Sequence, residues 1–214
     1  MDARALADVR RLAERDRELA DALAEIRAHE EEVEAVRGRA EEIEAFFAAY
    51  PEEETRRRSE ITEARAELDR RVAEHERAVA EAETARDEEE RAAAGRRTAR
   101  AEDRVEAERK RLAQAHDAEA ELERTAKALP QELGSLEERA RRVPDSTSPS
   151  GPRELVEWAS DARAHLFVQA GRLETERERV IREASELGTM LLGEPVYGAT
   201  AEQVQQRVEA TAAS

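Results

Sequence analysis

The sequence predicts an all-α protein, an elongated antiparallel coiled coil built from long helices and ended by a short C-terminal helical hook. Three observations predict it. Ala, Glu, Lys, Leu and Arg make up more than half of the 214 residues, the composition of long helices and coiled coils. The larger apolar residues recur in alternating steps of three and four, the helical period rather than strand alternation. The stripes they form are narrow, which suits a helix with one neighbour better than a helix inside a globular bundle.

Composition also sets exclusions. The chain is 41% charged with a net charge of −16, 3% aromatic and free of cysteine. Leu, Ile, Val and Phe together fall below the roughly 20% at which a highly charged chain is suspected of disorder. The regular spacing of those few residues decides for ordered helix. Without cysteine there is neither a disulfide nor a thiolate metal site. The opening "MDARALADVRRLAERDRE" has no apolar run, and no stretch has the length needed to cross a bilayer. The expectation is a cytoplasmic protein that does not contact membranes.

The elements follow in order. Over residues 1–142 the sequence predicts a long helical coiled-coil region. Its first helix, about 2–49, carries Val9, Leu12, Leu19, Leu23, Ile26, Val33, Val36, Ala40, Ile43, Phe47 and Tyr50 on one stripe. Asp16 and Glu30 stand at two positions where the stripe calls for an apolar residue. Pro51 disfavours helix at Tyr50 and suits the first position of a new helix, and Glu52–Glu54 then sit at its positive end. A long helix over about 52–129 carries Ile61, Leu68, Val72, Val79, Val105, Leu112, Leu122 and Leu129, about 115 Å at 1.5 Å per residue. A hairpin folded near Pro51 pairs Ile43 with Ile61, Val36 with Leu68 and Ile26 with Val79.

Gly95 offers a turn in the middle of that helix. A turn there would place Glu88, Glu89 and Glu90 near a negative helix end and Arg96 and Arg97 at a positive one, each costing up to about 1 kcal/mol. An interior glycine costs only about 1 kcal/mol relative to alanine, so the sequence favours continuity. Pro130 ends the long helix, and Ser135 with Glu138 forms a capping box for a short helix over 135–142. Residues 143–152, containing "PDSTSPSGP", read as a linker.

The last region, 153–214, is a C-terminal helix that folds back on the second half of the long helix, plus a short terminal helix. Its stripe is Ala159, Ala162, Leu166, Leu173, Val180, Ala184, Leu187 and Leu191, widened by Trp158, Phe167 and Ile181. Gly193 suits a left-handed helix end and Pro195 prevents continuation. Thr200 and Gln203 form a capping box that starts the last helix, with Val204 and Val208 on one face. Leu191, Leu192, Val196 and Tyr197 either fold over the end of the helices or form a docking knob for a partner.

The chemistry of common enzyme sites is missing. No Gly-x-x-x-x-Gly-Lys-[Ser/Thr] loop and no dinucleotide-binding glycine pattern is present. His29, His75, His116 and His165 belong to no metal-binding spacing. The carboxylates lie on solvated helix faces rather than in a cleft that would shift their pKa values. The expectation is a protein that is not an enzyme, with no catalytic residue, metal or cofactor. "RRR" at 56–58 reads as counter-charge to the preceding glutamates. "RAAAGRRTAR", residues 91–100, makes Arg96 and Arg97 candidate contacts for an anion or another subunit, but a net charge of −16 repels polyphosphate and nucleic acid is not the expected partner.

The function these residues predict is that of a non-catalytic structural or scaffolding protein, acting through a protein partner or self-association, as monomer or dimer. Two alternatives follow from particular segments. One is a nucleic-acid-associated accessory protein using 91–100; the other is an adaptor docking a partner through 187–208.

Overall fold

A computed structural model describes residues 2–144, 148–198 and 200–212. The described residues form four α-helices and no strand: α1 Ala3–Glu83, α2 Glu88–Arg141, α3 Pro152–Leu192 and α4 Ala201–Ala212. The protein is all-α and its long helices run antiparallel, as the sequence predicts. None of the described helices is long and apolar enough to cross a membrane.

Helix α1 starts at Asp2, whose carboxylate accepts a hydrogen bond from the Arg4 amide at 2.9 Å, a side-chain cap for one orphan N–H. It then runs for 81 residues without a break at Pro51. The expected helix end at Tyr50 is therefore corrected. An interior proline costs about 3 kcal/mol because a backbone hydrogen bond is lost and the ring crowds the preceding turn. Helix is held on both sides of it. Ile43 and Ala64 are buried, and Glu–Arg pairs follow immediately: Glu53–Arg57 at 2.9 Å, Glu54–Arg58 at 2.7 Å and Glu67–Arg71 at 2.7 Å. Each has glutamate four residues before arginine, the favourable order against the helix dipole. The "RRR" of 56–58 is thus counter-charge, as expected.

The chain turns at residues 84–87, a break the sequence reading did not place. Asp87 caps α2: the Glu90 amide donates to Asp87 Oδ1 at 2.8 Å and Glu90 Oε2 accepts from the Arg86 amide at 2.9 Å. This is a reciprocal capping arrangement. Gly95 lies inside α2, as the charges around it predict. With the break at residues 84–87 instead, the same acids favour the turn. Glu88, Glu89 and Glu90 now occupy the first turn of α2, where the dipole favours them. The expected continuous helix over 52–129 is overturned for this reason. Helix α2 passes through Pro130 to Arg141, so residues 135–141 belong to α2 and no separate short helix begins at Ser135.

The chain divides into two compact units, residues 42–134 and residues 1–41 with 135–214. In the first, α1 and α2 form an antiparallel hairpin. The Thr98 hydroxyl donates to the Ala78 carbonyl at 3.3 Å, Arg97 lies 3.7 Å from Glu81, and Arg58 lies 3.9 Å from Glu119. Ile43 and Ile61 therefore share one helix, and the expected pairing about Pro51 is wrong. Ala64, Ala94, Val105 and Leu129 are buried, while Ile61, Leu68, Val72, Val79, Leu112 and Leu122 stay partly exposed.

In the second unit, buried positions on α1 follow the predicted stripe at Val9, Leu19, Leu23, Ile26, Val33, Val36 and Ala40, except that Ala13 is buried in place of the expected Leu12, which stays partly exposed. Arg139 of α2 grips Glu32 through Nε and Nη2, at 2.6 and 3.0 Å. The described part of the 142–151 connection is packed down. Val143 and Pro149 are buried and the Gly151 amide donates to Glu137 at 2.9 Å; residues 145–147 of the predicted linker lie outside the described residues. Gly151 caps α3 with φ +89°, and Pro152 occupies its first turn, where a missing N–H costs nothing.

Helix α3 runs antiparallel to the N-terminal part of α1, shown by Arg163–Glu34 at 3.7 Å and Arg177–Asp16 at 2.7 Å. The sequence reading placed it on the second half of a long central helix instead. Its buried residues include Leu155, Trp158, Leu166, Val180 and Ala184. They cover the stretch of α1 with the most complete stripe.

Candidate protein-interaction site

The C-terminal segment is built by local signals. Gly193 takes φ +68° and its amide donates to the Thr189 carbonyl at 2.9 Å, ending α3 in the left-handed conformation that glycine accepts without strain. The Val196 amide then donates to the Thr189 hydroxyl at 3.0 Å, which folds the strap back onto α3. Thr200 caps α4 by accepting from the Gln203 amide at 3.2 Å. The Gly193 helix end and the Thr200 cap match the sequence reading, and the Thr189 bond adds to them.

Helix α4 lies in a groove between α1 and α3. Ala201, Val204 and Val208 are fully buried with Val9, Ala13 and Leu19 of α1, Val180 and Ala184 of α3, and Val196 of the strap. The fit is close. A Cβ placed on Gly188 would lie 2.8 Å from Val204 Cγ1, so glycine at 188 is what allows this approach.

Asp16 organises the groove. It is 3% exposed and is the buried charged residue among the described ones. One carboxylate oxygen accepts from Arg177 Nε at 2.7 Å and the other from the Ala201 amide at 2.8 Å. The second bond satisfies an orphan N–H at the positive end of α4. What the sequence shows as a flaw in the α1 stripe is thus the anchor for the fourth helix. Ion pairs on the rim add to it: Arg10–Glu209 at 2.7 Å, Arg17–Glu202 at 3.4 Å and Arg207–Glu194 at 3.7 Å. Hydrogen bonds from Gln205 and Arg10 hold the Glu209 carboxyl below the ordinary glutamate value.

The predicted knob of Leu191, Leu192, Val196 and Tyr197 is divided by the structure. Leu191 and Leu192 pack against the α4 cluster and Val196 is inside it. Val196 is therefore core, as in the folding-over reading of this segment, and meets the surface only where it lines a shallow depression. Tyr197 is 82% exposed, beside Met190 at 76%. The two border a depression of 470 Å³ floored by Val196 and Thr189 and flanked by Arg182 and Glu186. Sequence reasoning missed Met190, although its position was a signal: it sits about 100° round the helix from Leu191, off the buried stripe. Phe167, expected to widen that stripe, is instead 73% exposed, with Val168 half exposed next to it.

Arg96 and Arg97 are exposed on α2 in the other unit. Arg97 faces Glu81 across the hairpin and Arg91 donates to the Arg86 carbonyl at 3.4 Å. Part of this basic segment therefore stabilises the turn. Among the described residues no group of three or more His, Cys, Asp or Glu side chains is placed to hold a metal ion. Comparison of the chain with protein-family models, curated proteins and solved structures returned no match.

Proposed function

We propose that this protein is a non-catalytic scaffold whose paired helical seams carry a protein-docking surface on the outer side of α3 and its C-terminal strap. One observation carries the reading. In a chain with 3% aromatic residues, Tyr197 and Met190 both stand largely exposed, lining one depression at the end of α3 and its strap. Large apolar side chains spent on a surface need a reason, and contact with another protein is the usual one. The depression beside Met190 and Tyr197 is shallow and open, which suits a partner's side chain better than a substrate.

The reading is tested with the double variant Met190→Glu/Tyr197→Glu, whose side chains are outside the core. Quantitative cross-linking of the tagged chain in its native cell should recover a reproducible partner set with wild type. The variant should lose that set, while Phe47→Glu on α1 keeps it. An unchanged set would remove this surface from the account.

A further inference from the structure

We infer that the depression beside Phe167 is a self-association site, and that it takes the arginine face of α2 from a second copy of this chain. The depression has a volume of 640 Å³ and lies between Glu30, Glu31, Glu34 and Ala35 of α1 and Arg163 and Phe167 of α3. Two of its features need a reason. Phe167 is exposed on its wall, with Val168 half exposed beside it. Glu34 is matched by Arg37 and Arg163, whereas Glu30 and Glu31 make no ion pair among the described residues. Glu30 is half-buried on the α1 stripe, at a position that calls for an apolar residue. The other acid on that stripe, Asp16, is matched by Arg177; Glu30 has no such match. An aromatic ring beside carboxylates suits a guanidinium, which stacks on the ring while its N–H groups donate to the acids.

The complementary charge stands on the same sequence. Residues 91–100 carry four arginines and no acid. Arg91 and Arg97 serve the turn at 84–87, but Arg96 and Arg100 are exposed and make no ion pair among the described residues. Four residues apart, they share one face of α2. Ala92, Gly95 and Ala99 lie on that face too and are also exposed, while the buried Ala94 and Val105 lie on the opposite side. Side chains this small let Phe167 and Val168 approach the helix while both guanidiniums reach Glu30 and Glu31. Each surface supplies the charge that the other has unmatched, and the contact joins two different surfaces, one from each copy, as a heterologous interface does. The net charge of −16 opposes association at long range. That repulsion is screened beyond about 10 Å at 0.1 M salt, so the charges that meet decide the outcome. Neither Met190 nor Tyr197 takes part, and the inference stands or falls apart from the surface proposed above.

Analytical ultracentrifugation of the full chain tests this by charge exchange. Wild type should sediment above the 24.0 kDa monomer as its concentration rises. Arg96→Glu/Arg100→Glu and Glu30→Arg/Glu31→Arg each set like charges against one another at the contact, so each alone should associate more weakly by about tenfold or more. An equimolar mixture of the two variants places opposite charges at every contact between unlike chains and should associate as wild type does, which also shows that both variants fold. Phe167→Ala should weaken association of the wild-type chain, and Met190→Glu/Tyr197→Glu should leave it unchanged. The inference is overturned if wild type stays a monomer at every concentration, if either charge variant alone associates like wild type, or if the mixture fails to recover. Association that is lost with Met190→Glu/Tyr197→Glu and kept with Phe167→Ala would belong to the other surface and would overturn it equally.

Discussion

Gly188→Ala is expected to loosen α4 while leaving the rest of the protein as stable as before, or more so. In an ordinary helix this change gains about 1 kcal/mol, because alanine loses less backbone entropy than glycine on folding. At position 188 the new Cβ lies 2.8 Å from Val204 Cγ1 and 3.5 Å from Val196 Cβ. Overpacking of this kind costs about 1–3 kcal/mol. Valine is stiff at χ1, so the strain is relieved by moving α4 as a body. The two effects act on different parts: the gain belongs to α3, the loss to the docking of α4. Hydrogen exchange resolves them. Amide protection over 201–212 should fall roughly 5- to 150-fold, as a loss of about 1–3 kcal/mol implies, while residues 155–180 keep theirs. Gly171→Ala is the control, since a Cβ there meets nothing within 4 Å, and it should stabilise α3 without touching α4. Adding Val204→Ala should relieve the clash, so that Gly188→Ala costs nothing in that background. Full protection of α4 in the single Gly188→Ala variant would refute the close-approach argument.

Three further outcomes follow from named contacts. Asp16→Ala leaves the Ala201 amide without its acceptor and Arg177 without its partner, so thermal or urea unfolding should show a loss of about 1–3 kcal/mol; a gain would mean that the carboxylate only spoils the α1 stripe. Pro51→Ala restores a helical N–H in the middle of α1 and should raise stability by about 1–3 kcal/mol, measured by the urea midpoint, and an unchanged midpoint would count against a continuous α1. The hydrogen bond from Arg139 holds the Glu32 carboxyl below the ordinary glutamate value of 4.5, so its contribution is complete at neutral pH and is lost as the pH falls below 4.5 through the folded-state value. Glu32→Gln should flatten the stability profile in that acid window and cost less than about 1 kcal/mol at pH 7, because both partners are partly solvated; an identical acid slope in the variant would show that this pair is not the source.

Much of the molecule is legible in the sequence because local rules govern it. The stripe from Val9 to Ile43 is buried nearly position for position, since a 3.6-residue period leaves little choice of face. Gly193, Thr200, Val204 and Val208 play their predicted parts, each following from backbone conformation or capping within a few residues. The rest depends on competition between distant effects. Pro51 is a strong local signal for a helix end, yet it is outweighed by helix on both sides of it. The turn at 84–87 has neither glycine nor proline, and its only mark is Asp87 with Glu90 three residues on, inside a run of acids that hides the pattern. Seam pairing is ambiguous because any two heptad-like series can be aligned, so the choice between a fold at Pro51 and one at 84–87 needs tertiary information. Asp16 shows the limit most plainly. An acid on an apolar stripe has no local explanation, and its partners, Arg177 and Ala201, lie 161 and 185 residues away.

The antiparallel hairpin about residues 84–87 is the claim on which the architecture rests, and one distance tests it directly. In the otherwise cysteine-free chain, spin labels at Arg58→Cys and Glu119→Cys replace side chains 3.9 Å apart on neighbouring helices. Pulsed dipolar spectroscopy should give a short, single distance appropriate to helix axes about 8–10 Å apart. A separation near 90 Å, the length of an unbroken helix between those residues at 1.5 Å per residue, would contradict the hairpin.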